Sequence, residues 1–439
     1  MPTKLPREMT GAELNSMLKS SVNFKSLGGM RVPGLKLSED DLKWWRDAKI
    51  GMFIHWGLYS LPARHEWVMN HERITNEDYK KYFDHFDPDL YDPKEWAAYA
   101  KKAGMKYAVL TTKHHEGFCL FDSEYTDFKA TNTKAGRDLV KEYVDAFRAE
   151  GIKIGFYYSL LDWHHPDFTI DYHHPRRDDT KEEIERFNKG RDMKRYAQYI
   201  RDQVTELLTN YGKIDLLWFD FSYVKGKDDW ESEKLIKLIR SIQPEIIINN
   251  RLGIDQDIWT PEQYQPEEWI TDDKGQRVVW EGCQTFSGSW GYHRDEKTWK
   301  SPEQLIKMLI NSVACGGNLI MNVGPTSRGY FDKRAVNALD VYAEWMKYNS
   351  KSIYGCTQSE FTAPNDARYT QNGKMLYLHI FSYPFINMTL KGMAGKIEYM
   401  QFLHDGSEII YKEQDGDVQI TLPVEKPDVT VPVVEIFLK

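Results

Sequence analysis

The stretch Ile214-Asp215-Leu216-Leu217-Trp218-Phe219-Asp220-Phe221 is a short apolar run with an acid near its end. A helical pattern ending at Gly212 precedes it, and another begins near Trp230. The run is too short for a helix and too apolar for a half-exposed strand. It therefore predicts a strand buried on both faces, as in a parallel sheet. Asp220 would then lie at the carboxyl end of the strand, where α/β barrels carry their chemistry. The alternative is an Asp that only caps the following loop.

Outward from this strand, strand-like and helix-like stretches alternate between about residue 50 and about residue 350. Six strands are predicted, and they begin at Ile50, Lys106, Ile152, Ile214, Glu245 and Asn318. Such alternation requires a parallel sheet, and its length favours an α/β fold with a (β/α)8-like, TIM-type barrel over an open sheet. Residues 252–300 are predicted to form a long irregular segment, and loops of that length are usually functional or disordered.

The pattern changes from about Tyr354 onward. Short strand-like runs follow one another there, separated by turn dipeptides such as Asn372-Gly373, Asp405-Gly406 and Asp415-Gly416. This predicts a small antiparallel β-sandwich. The predicted domains are an N-terminal extension over residues 1–37, a catalytic barrel over 38–352 and a C-terminal β-sandwich over 353–439.

Composition limits the classes of protein to which the chain can belong. Its 439 residues carry a net charge of -8 without a long basic run, which argues against nucleic-acid binding. Four widely spaced cysteines without a CxxC pair indicate neither a zinc knuckle nor a disulfide framework. No stretch is apolar enough for a membrane span or a signal-peptide core. We therefore expect no membrane partner, and a cytoplasmic protein, or an exported one if a signal peptide has been cleaved. The sequence leaves the oligomeric state open, including a homo-oligomer.

Polar and aromatic side chains collect where the predicted strands end. Five strands contribute to this set, which comprises His55, Trp56, Lys113, His114, His115, Tyr158, Asp162, Trp163, Trp218, Asp220 and Arg251. Because the carboxyl ends of barrel strands share one face, the set predicts a single pocket at the barrel mouth.

The residue types favour one chemistry for this pocket. Neither a GxSxG nucleophile motif nor a Gly-rich phosphate loop is present. The histidine pairs 114–115, 164–165 and 173–174 make a metal site a rival. Neighbours on a strand point to opposite faces, however, so each pair would supply at most one inward ligand. Glycoside hydrolysis by two carboxylates fits better, with one carboxylate attacking the anomeric carbon and the other protonating the leaving oxygen. Trp and Tyr faces would cover the apolar side of the sugar ring.

A series of motifs resembles family-29 α-L-fucosidases. They are KIGMFIHWG at 49–57, TTKHHEGF at 111–118, YYS at 157–159, LWFD at 217–220, TPEQ at 260–263, WEGC at 280–283, SWGY at 289–292 and GGNLIMNVGP at 316–325. They cover residues 40–350 in order, with a β-sandwich after them as in that family. The number and order of the motifs make the resemblance specific.

The resemblance implies a retaining exo-enzyme that removes terminal α-L-fucose from a fucosylated oligosaccharide or glycoconjugate without a cofactor or metal. It implies that Asp220 is the nucleophile. The implied sugar-binding positions are His55, Glu66, Trp67, His114, His115, Tyr158 and Arg251, with Trp218 and Trp290 near the C5 methyl group of fucose.

The resemblance does not single out one general acid/base, because its position varies within the family. Glu262 is favoured and Glu281 is the alternative, while Glu267 and Glu268 remain open. Glu281 could instead hold its loop through hydrogen bonds. Two other functions are also compatible with the sequence: a metal-dependent barrel hydrolase and a carbohydrate-binding protein without catalysis.

Overall fold

A computed structural model describes residues 34–220 and 224–439. Phe221 and most of the predicted extension over residues 1–37 lie outside this part of the chain. In chain order, the first elements are α1 (Lys43–Ala48), β1 (Ile50–Ile54), α2 (Val68–His71), α3 (Asn76–His85), α4 (Pro93–Lys102), β2 (Tyr107–Lys113), α5 (Leu139–Ala149), β3 (Lys153–Ser159), α6 (Lys181–Asn188), α7 (Met193–Thr209), β4 (Leu216–Asp220), α8 (Ser232–Ile242), β5 (Ile247–Ile248), β6 (Glu281–Thr285), α9 (Pro302–Ala314), β7 (Asn318–Val323) and α10 (Lys333–Asn349).

The strands of this region form one parallel, curled sheet of seven strands in the order β5-β4-β3-β2-β1-β7-β6. The six strands that the sequence predicted begin within about two residues of their expected positions. Local capping explains the helix starts, since Asp92, Asp138, Thr180 and Ser301 each accept a hydrogen bond from a backbone N–H of the helix they precede. The predicted fold, a (β/α)8-like barrel followed by a β-sandwich, is confirmed.

The segment that the sequence predicted to be irregular contains β6 and a further extended stretch. Backbone hydrogen bonds join Ile258 to Ile248 and Asn250 on one side, at 3.4 and 3.0 Å. On the other side, Cys283 N donates to Pro261 O and Gln263 N donates to Cys283 O, both at 3.0 Å. Residues 258–263 therefore bridge β5 and β6 and take the place of an eighth strand. The prediction of an irregular segment over residues 252–300 missed these two extended stretches, because they are short and carry polar residues and a proline.

Alternation along the strands separates the inside of the barrel from its outer layer. Tyr157 pairs with Trp218, and Ser159 pairs with Asp220. Tyr157 and Trp218 pack inside the barrel with Phe53, whereas their neighbours along the strands pack outward against the helices. Since β4 is regular up to its end, Asp220 faces inward, as Trp218 does.

The C-terminal strands form two antiparallel sheets. In chain order they are β8 (Thr357–Gln358), β9 (Ala367–Asn372), β10 (Met375–Ile380), β11 (Asn387–Leu390), β12 (Ile397–Phe402), β13 (Ile410–Gln414), β14 (Asp417–Thr421) and β15 (Val433–Leu438). One sheet has the order β12-β15-β10-β9-β8 and the other β11-β14-β13. Buried apolar side chains such as Leu378, Met400 and Ile420 pack together between them. The sequence missed β8, β9 and β12. In the described part of the chain, no helix has the length and apolarity needed to cross a bilayer.

Candidate active site

Asp220 ends β4 at the mouth of the barrel, and three side chains approach its carboxylate. Tyr157 on β3 donates a hydrogen bond from its hydroxyl to Oδ2 at 2.9 Å. Arg251 places Nη1 2.7 Å from Oδ1, and His115 places Nε2 3.9 Å from Oδ2. The Asp220 side chain remains 13% exposed, so a small molecule in the mouth can reach it.

Arg251 joins Asp220 to a second carboxylate. The same Nη1 lies 2.9 Å from Oε2 of Glu262, so the two carboxylate oxygens are separated by no more than about 6 Å. Arg251 is itself held in place, since its Nε and Nη2 donate to Oγ1 and O of Thr260 at 3.0 and 2.9 Å. Its guanidinium also lies over the ring of Trp218, 4.5 Å from the ring centre. The arrangement fixes both carboxylates relative to one rigid cation.

The surroundings move the pKa values of the two carboxylates in opposite directions. Burial alone would raise the pKa of Asp220, but the Arg251 charge and the hydrogen bonds from Arg251 and Tyr157 outweigh it and leave that pKa below the ordinary value of 3.8. Loss of water raises the pKa of Glu262 above the ordinary value of 4.5, with Arg251 opposing and the Asp220 charge adding to the rise. Asp220 therefore favours the anionic form, and Glu262 holds its proton to higher pH than an ordinary glutamate does. Such divergence is typical of a nucleophile and a general acid.

Two histidines present unprotonated nitrogens to the pocket. Ser159 donates its hydroxyl to the Leu161 carbonyl at 2.8 Å, so the Ser159 oxygen accepts from Nδ1 of His115 at 2.6 Å. Asn322 likewise accepts from Nδ1 of His55 at 2.6 Å. Burial lowers the pKa of each ring to about 3, so both are neutral and keep an acceptor at Nε2. Acceptors of this kind suit the hydroxyl hydrogens of a sugar.

The third histidine, His114, lies between these two. Its Nδ1 is buried and has no hydrogen-bond partner among the described residues. Burial lowers its pKa far below the ordinary value, so it is also neutral. The strand alternation that predicted one inward ring for the pair 114–115 does not apply, because the chain leaves β2 at Lys113 and both rings face the pocket.

Aromatic rings form the rest of the pocket wall. Phe53 packs against Trp218 and Trp290, with ring centres 5.1 and 6.0 Å apart. The pocket is a small cavity of about 50 Å³, the inner pocket, lined by Phe53, His55, Glu66, Trp67, His114, His115, Tyr157, Trp218, Asp220, Arg251, Glu262 and Trp290. The sequence missed Phe53, although its spacing from His55 on one strand face was a usable signal.

Tyr158 does not lie in this pocket, which corrects the predicted sugar-binding set. Its hydroxyl donates to Oε1 of Gln203 on α7 at 2.7 Å, on the helical side of the sheet. Tyr157 takes the inward position. The two residues are adjacent on β3, and a shift of one residue along a strand exchanges its faces.

Glu281 also lies apart from both carboxylates of the pocket. It is fully buried at the start of β6, where it accepts hydrogen bonds from the hydroxyl of Tyr107 and, at 3.4 Å, from Nε1 of Trp218. Burial raises its pKa to about 7. It lines neither cavity of the site, so the structure separates it from Asp220 by the ring of Trp218. Glu267 and Glu268 are exposed and line neither cavity.

A larger cavity, the outer cleft, leads from the inner pocket to solvent. It has a volume of about 670 Å³ and is lined by His65, Glu66, Trp67, His71, His173, Glu262, Gln263, Ser287, Gly288, Trp290, Thr298 and Lys300. Glu66, Trp67, Glu262 and Trp290 belong to both cavities. Glu66 is buried and accepts from the backbone N–H of Gly291 at 2.8 Å, and burial raises its pKa to about 7. The two cavities therefore adjoin, and a bound molecule can extend from the inner pocket into the cleft.

A family model and a curated relative both place the chain in one family. Residues 35–351 match the family model described as alpha-L-fucosidase. The chain is 30% identical over 340 residues to tissue alpha-L-fucosidase of Mus musculus, an overlap of 71% of each protein.

Solved structures are similar as well. Alpha-L-fucosidase isoenzyme 1 from Paenibacillus thiaminolyticus is 44% identical with a TM-score of 0.88, over 91% of this chain and 99% of that one. An alpha-L-fucosidase from Bacteroides thetaiotaomicron, trapped as a covalent intermediate with 2-fluoro-fucosyl fluoride, is 27% identical with a TM-score of 0.80, over 93% and 98% of the two chains.

Proposed function

The chain belongs to the α-L-fucosidase family of glycoside hydrolases, and from that premise we propose that it releases terminal α-L-fucose with retention of anomeric configuration. Asp220 is the nucleophile in this proposal and Glu262 is the general acid/base. Membership of an enzyme family removes the alternative of a carbohydrate-binding protein without catalysis.

The observation that carries the proposal is the spacing of the two carboxylates. Both contact Nη1 of Arg251, at 2.7 and 2.9 Å. Retaining glycosidases hold their carboxyl groups about 5–5.5 Å apart, whereas inverting enzymes need about 6.5–9.5 Å to admit a water molecule. A separation below about 6 Å favours direct attack by Asp220 on the anomeric carbon.

The first step forms a bond between Asp220 and the anomeric carbon. The bond from that carbon to the glycosidic oxygen breaks, and Glu262 gives its proton to the departing oxygen. Arg251 and Tyr157 keep Asp220 ionised before this step. The raised pKa of Glu262 favours its protonated form, which donates the proton. The related Bacteroides enzyme, captured as a covalent intermediate, is consistent with such a step.

The second step returns the enzyme to its starting state. Glu262, now an anion, takes a proton from water, and the oxygen of that water attacks the anomeric carbon and releases Asp220. Two inversions give net retention. Trp218 and Trp290 provide an apolar surface for the C5 methyl group, whose burial contributes on the order of 0.8 kcal/mol.

Asp220→Asn tests the nucleophile. Turnover should fall by several orders of magnitude while fucose still binds, which isothermal titration calorimetry would measure. Incubation of the wild type with 2-fluoro-fucosyl fluoride should add one fluorofucosyl group to the peptide containing Asp220, as read by mass spectrometry. Label on another carboxylate, or near-normal turnover in the variant, would refute the assignment.

Glu262→Ala tests the acid/base. The variant should retain hydrolysis of 4-nitrophenyl α-L-fucoside better than that of natural glycosides, because nitrophenolate leaves without a proton. Azide should restore its turnover and yield a fucosyl azide. Glu281→Gln is the matched variant, and no azide effect is expected for it. Proton NMR of the first-formed fucose anomer reports retention directly. Exhaustive EDTA treatment should leave activity intact, whereas a metal-dependent hydrolase would lose it.

A further inference from the structure

The outer cleft is the place that the leaving group of the reaction must occupy. Glu262 borders both the inner pocket and the outer cleft. A general acid lies beside the glycosidic oxygen, between the fucose and what is attached to it. With about 670 Å³, the cleft has room for sugar residues beyond the fucose. The side chains next to Glu262 on the cleft side are therefore those that meet the first of these residues.

Two such side chains, Gln263 and Lys300, are anchored on the same residue. Nε2 of Gln263 donates to Oγ1 of Thr285 at 2.8 Å. Nζ of Lys300 donates to the Thr285 carbonyl at 2.6 Å and lies 3.5 Å from Oγ1. Thr285 is the last residue of β6, so a rigid element holds both long side chains. Gln263 directly follows Glu262 and adopts a left-handed backbone conformation with φ of 49°, which turns the chain at this point.

Both side chains keep unused hydrogen-bonding capacity in the cleft. Oε1 of Gln263 has no hydrogen-bond partner among the described residues, and the side chain is exposed. Lys300 has three N–H donors, of which Thr285 engages at most two. No carboxylate in residues 34–220 and 224–439 forms an ion pair with Lys300. An acceptor and a donor, both tied to Thr285, thus line the same cleft as Glu262.

We propose that Gln263 and Lys300 form a leaving-group subsite that binds neighbouring hydroxyl groups of a neutral sugar attached to the fucose. This proposal rests on the proposed function, because it takes Glu262 as the acid. One hydroxyl donates to Oε1 of Gln263, and the oxygen of the next accepts from Nζ of Lys300.

Ring side chains elsewhere in the cleft complete a surface suited to a sugar. The ring of Trp67 stacks with that of His71, with ring centres 6.2 Å apart. It makes an edge-to-face contact with His173, with ring centres 6.1 Å apart. Burial lowers the pKa of both histidines, which keeps them neutral near pH 7 and leaves their faces apolar. Aromatic faces of this kind cover the C–H side of pyranose rings.

The test compares two kinds of substrate in the same variants. Wild type, Gln263→Ala and Lys300→Met are assayed on 4-nitrophenyl α-L-fucoside and on fucosyl disaccharides with α1,2, α1,3, α1,4 and α1,6 linkages. On the best disaccharide, kcat/KM should fall about tenfold in each variant, the loss expected for one hydrogen bond to a sugar hydroxyl. On the aryl fucoside it should change less than about threefold, because that leaving group lacks the hydroxyls. Lys297→Met, an exposed lysine outside the cleft, is the control and should change neither.

Three outcomes would overturn the subsite. Equal losses on both substrate classes would assign Gln263 and Lys300 a purely structural role. An unchanged disaccharide kcat/KM in both variants would remove their contact with the leaving group. Wild type that cleaves the aryl fucoside and none of the disaccharides would exclude a sugar in the cleft. The aryl fucoside arm separates these outcomes from a failure of the Asp220–Glu262 mechanism, which would show in wild type and in the Glu262→Ala experiment.

Discussion

At the scale of single residues, the site depends on how one carboxylate is kept ionised. Asp220 is buried enough that its charge would be unfavourable without partners. Arg251 supplies a positive charge at 2.7 Å, and Tyr157 supplies a hydrogen bond at 2.9 Å. The neutral rings of His55 and His115 add acceptors without adding a competing charge. A reactive anion is thereby held in a small cavity.

Tyr157→Phe should shift the pH dependence of activity toward higher pH. The hydroxyl stabilises the charged form of Asp220, so its removal raises the pKa of that carboxyl. In the proposed mechanism Asp220 attacks as an anion, so the acid limb of the kcat/KM profile should move to higher pH, with kcat/KM about tenfold lower at the optimum. A pH-rate profile on 4-nitrophenyl α-L-fucoside measures both quantities.

Tyr158→Phe is the matched control for this change. It removes the same hydroxyl from the adjacent residue, where the contact is Gln203 on a helix. Its acid limb should coincide with that of wild type. An unshifted limb in Tyr157→Phe, or the same shift in both variants, would contradict the role given to Tyr157.

At the scale of elements, β6 and residues 258–263 decide the position of Glu262, the proposed acid. The extended stretch places Thr260 against Arg251 and Glu262 at the barrel mouth. Its next residue, Gln263, is bonded to β6 through both backbone and side chain. The carboxylates of Asp220 and Glu262 therefore lie on two different extended segments of the same barrel. This shared framework sets the separation of the two carboxylates, on which the proposed retaining mechanism rests.

Glu281 gives β6 a pH-dependent stability. Its pKa is about 7 in the folded protein and 4.5 ordinarily, so the folded state holds a proton that the unfolded chain has lost. Stability from this group is greatest at low pH and declines as pH rises toward 7, before levelling off. Between pH 5 and pH 8 the decline amounts to roughly 2.5 kcal/mol. Glu281→Gln should remove this pH-dependent loss of stability, so the variant should be more stable than wild type at pH 8.

Urea unfolding at pH 5, 6, 7 and 8 measures this difference. The gap between Glu281→Gln and wild type should grow in favour of the variant as pH rises. Glu408→Gln, an exposed position in the β-sandwich, should track wild type throughout. A constant gap across the pH range would mean that Glu281 does not carry the raised pKa.

At the scale of the whole molecule, the β-sandwich packs on the barrel through α9 and α10. Trp345 is 2% exposed, and its Nε1 donates to the Val431 carbonyl at 3.0 Å. Its ring stacks with His379 on β10 at a centre distance of 6.3 Å. Thr370 on β9 also donates to the Ser352 carbonyl at 2.7 Å. The contacts join the two domains at a distance from the barrel mouth, so they affect stability and not the chemistry.

Trp345→Ala should lower the free energy of unfolding by about 3–5 kcal/mol, the usual effect of deleting a buried aromatic ring. Below the melting range, kcat/KM should stay within about twofold of wild type. Tyr348→Ala, an exposed ring on the same helix, should cost less than about 1 kcal/mol. Circular dichroism during urea unfolding gives the stabilities. Equal effects of the two substitutions would contradict a buried interface at Trp345.

The sequence by itself determined the barrel and the inward acid at the end of β4. Apolar runs, helix caps and turn dipeptides act over a few neighbouring residues, so the sequence alone reveals them. The motifs in order also identified the family and most of the pocket side chains, among them His55, Trp218 and Arg251.

Only the tertiary structure decided which of two adjacent tyrosines and which of two glutamates belongs to the site. Tyr157 and Tyr158 differ by a single strand position, and the face of each depends on register with β4. Glu262 and Glu281 lie on neighbouring extended segments. Glu262 lines the inner pocket, whereas the ring of Trp218 separates Glu281 from it. The positions of these side chains depend on contacts between residues that are distant in sequence. These contacts form only in the folded sheet, so local sequence patterns do not reveal them.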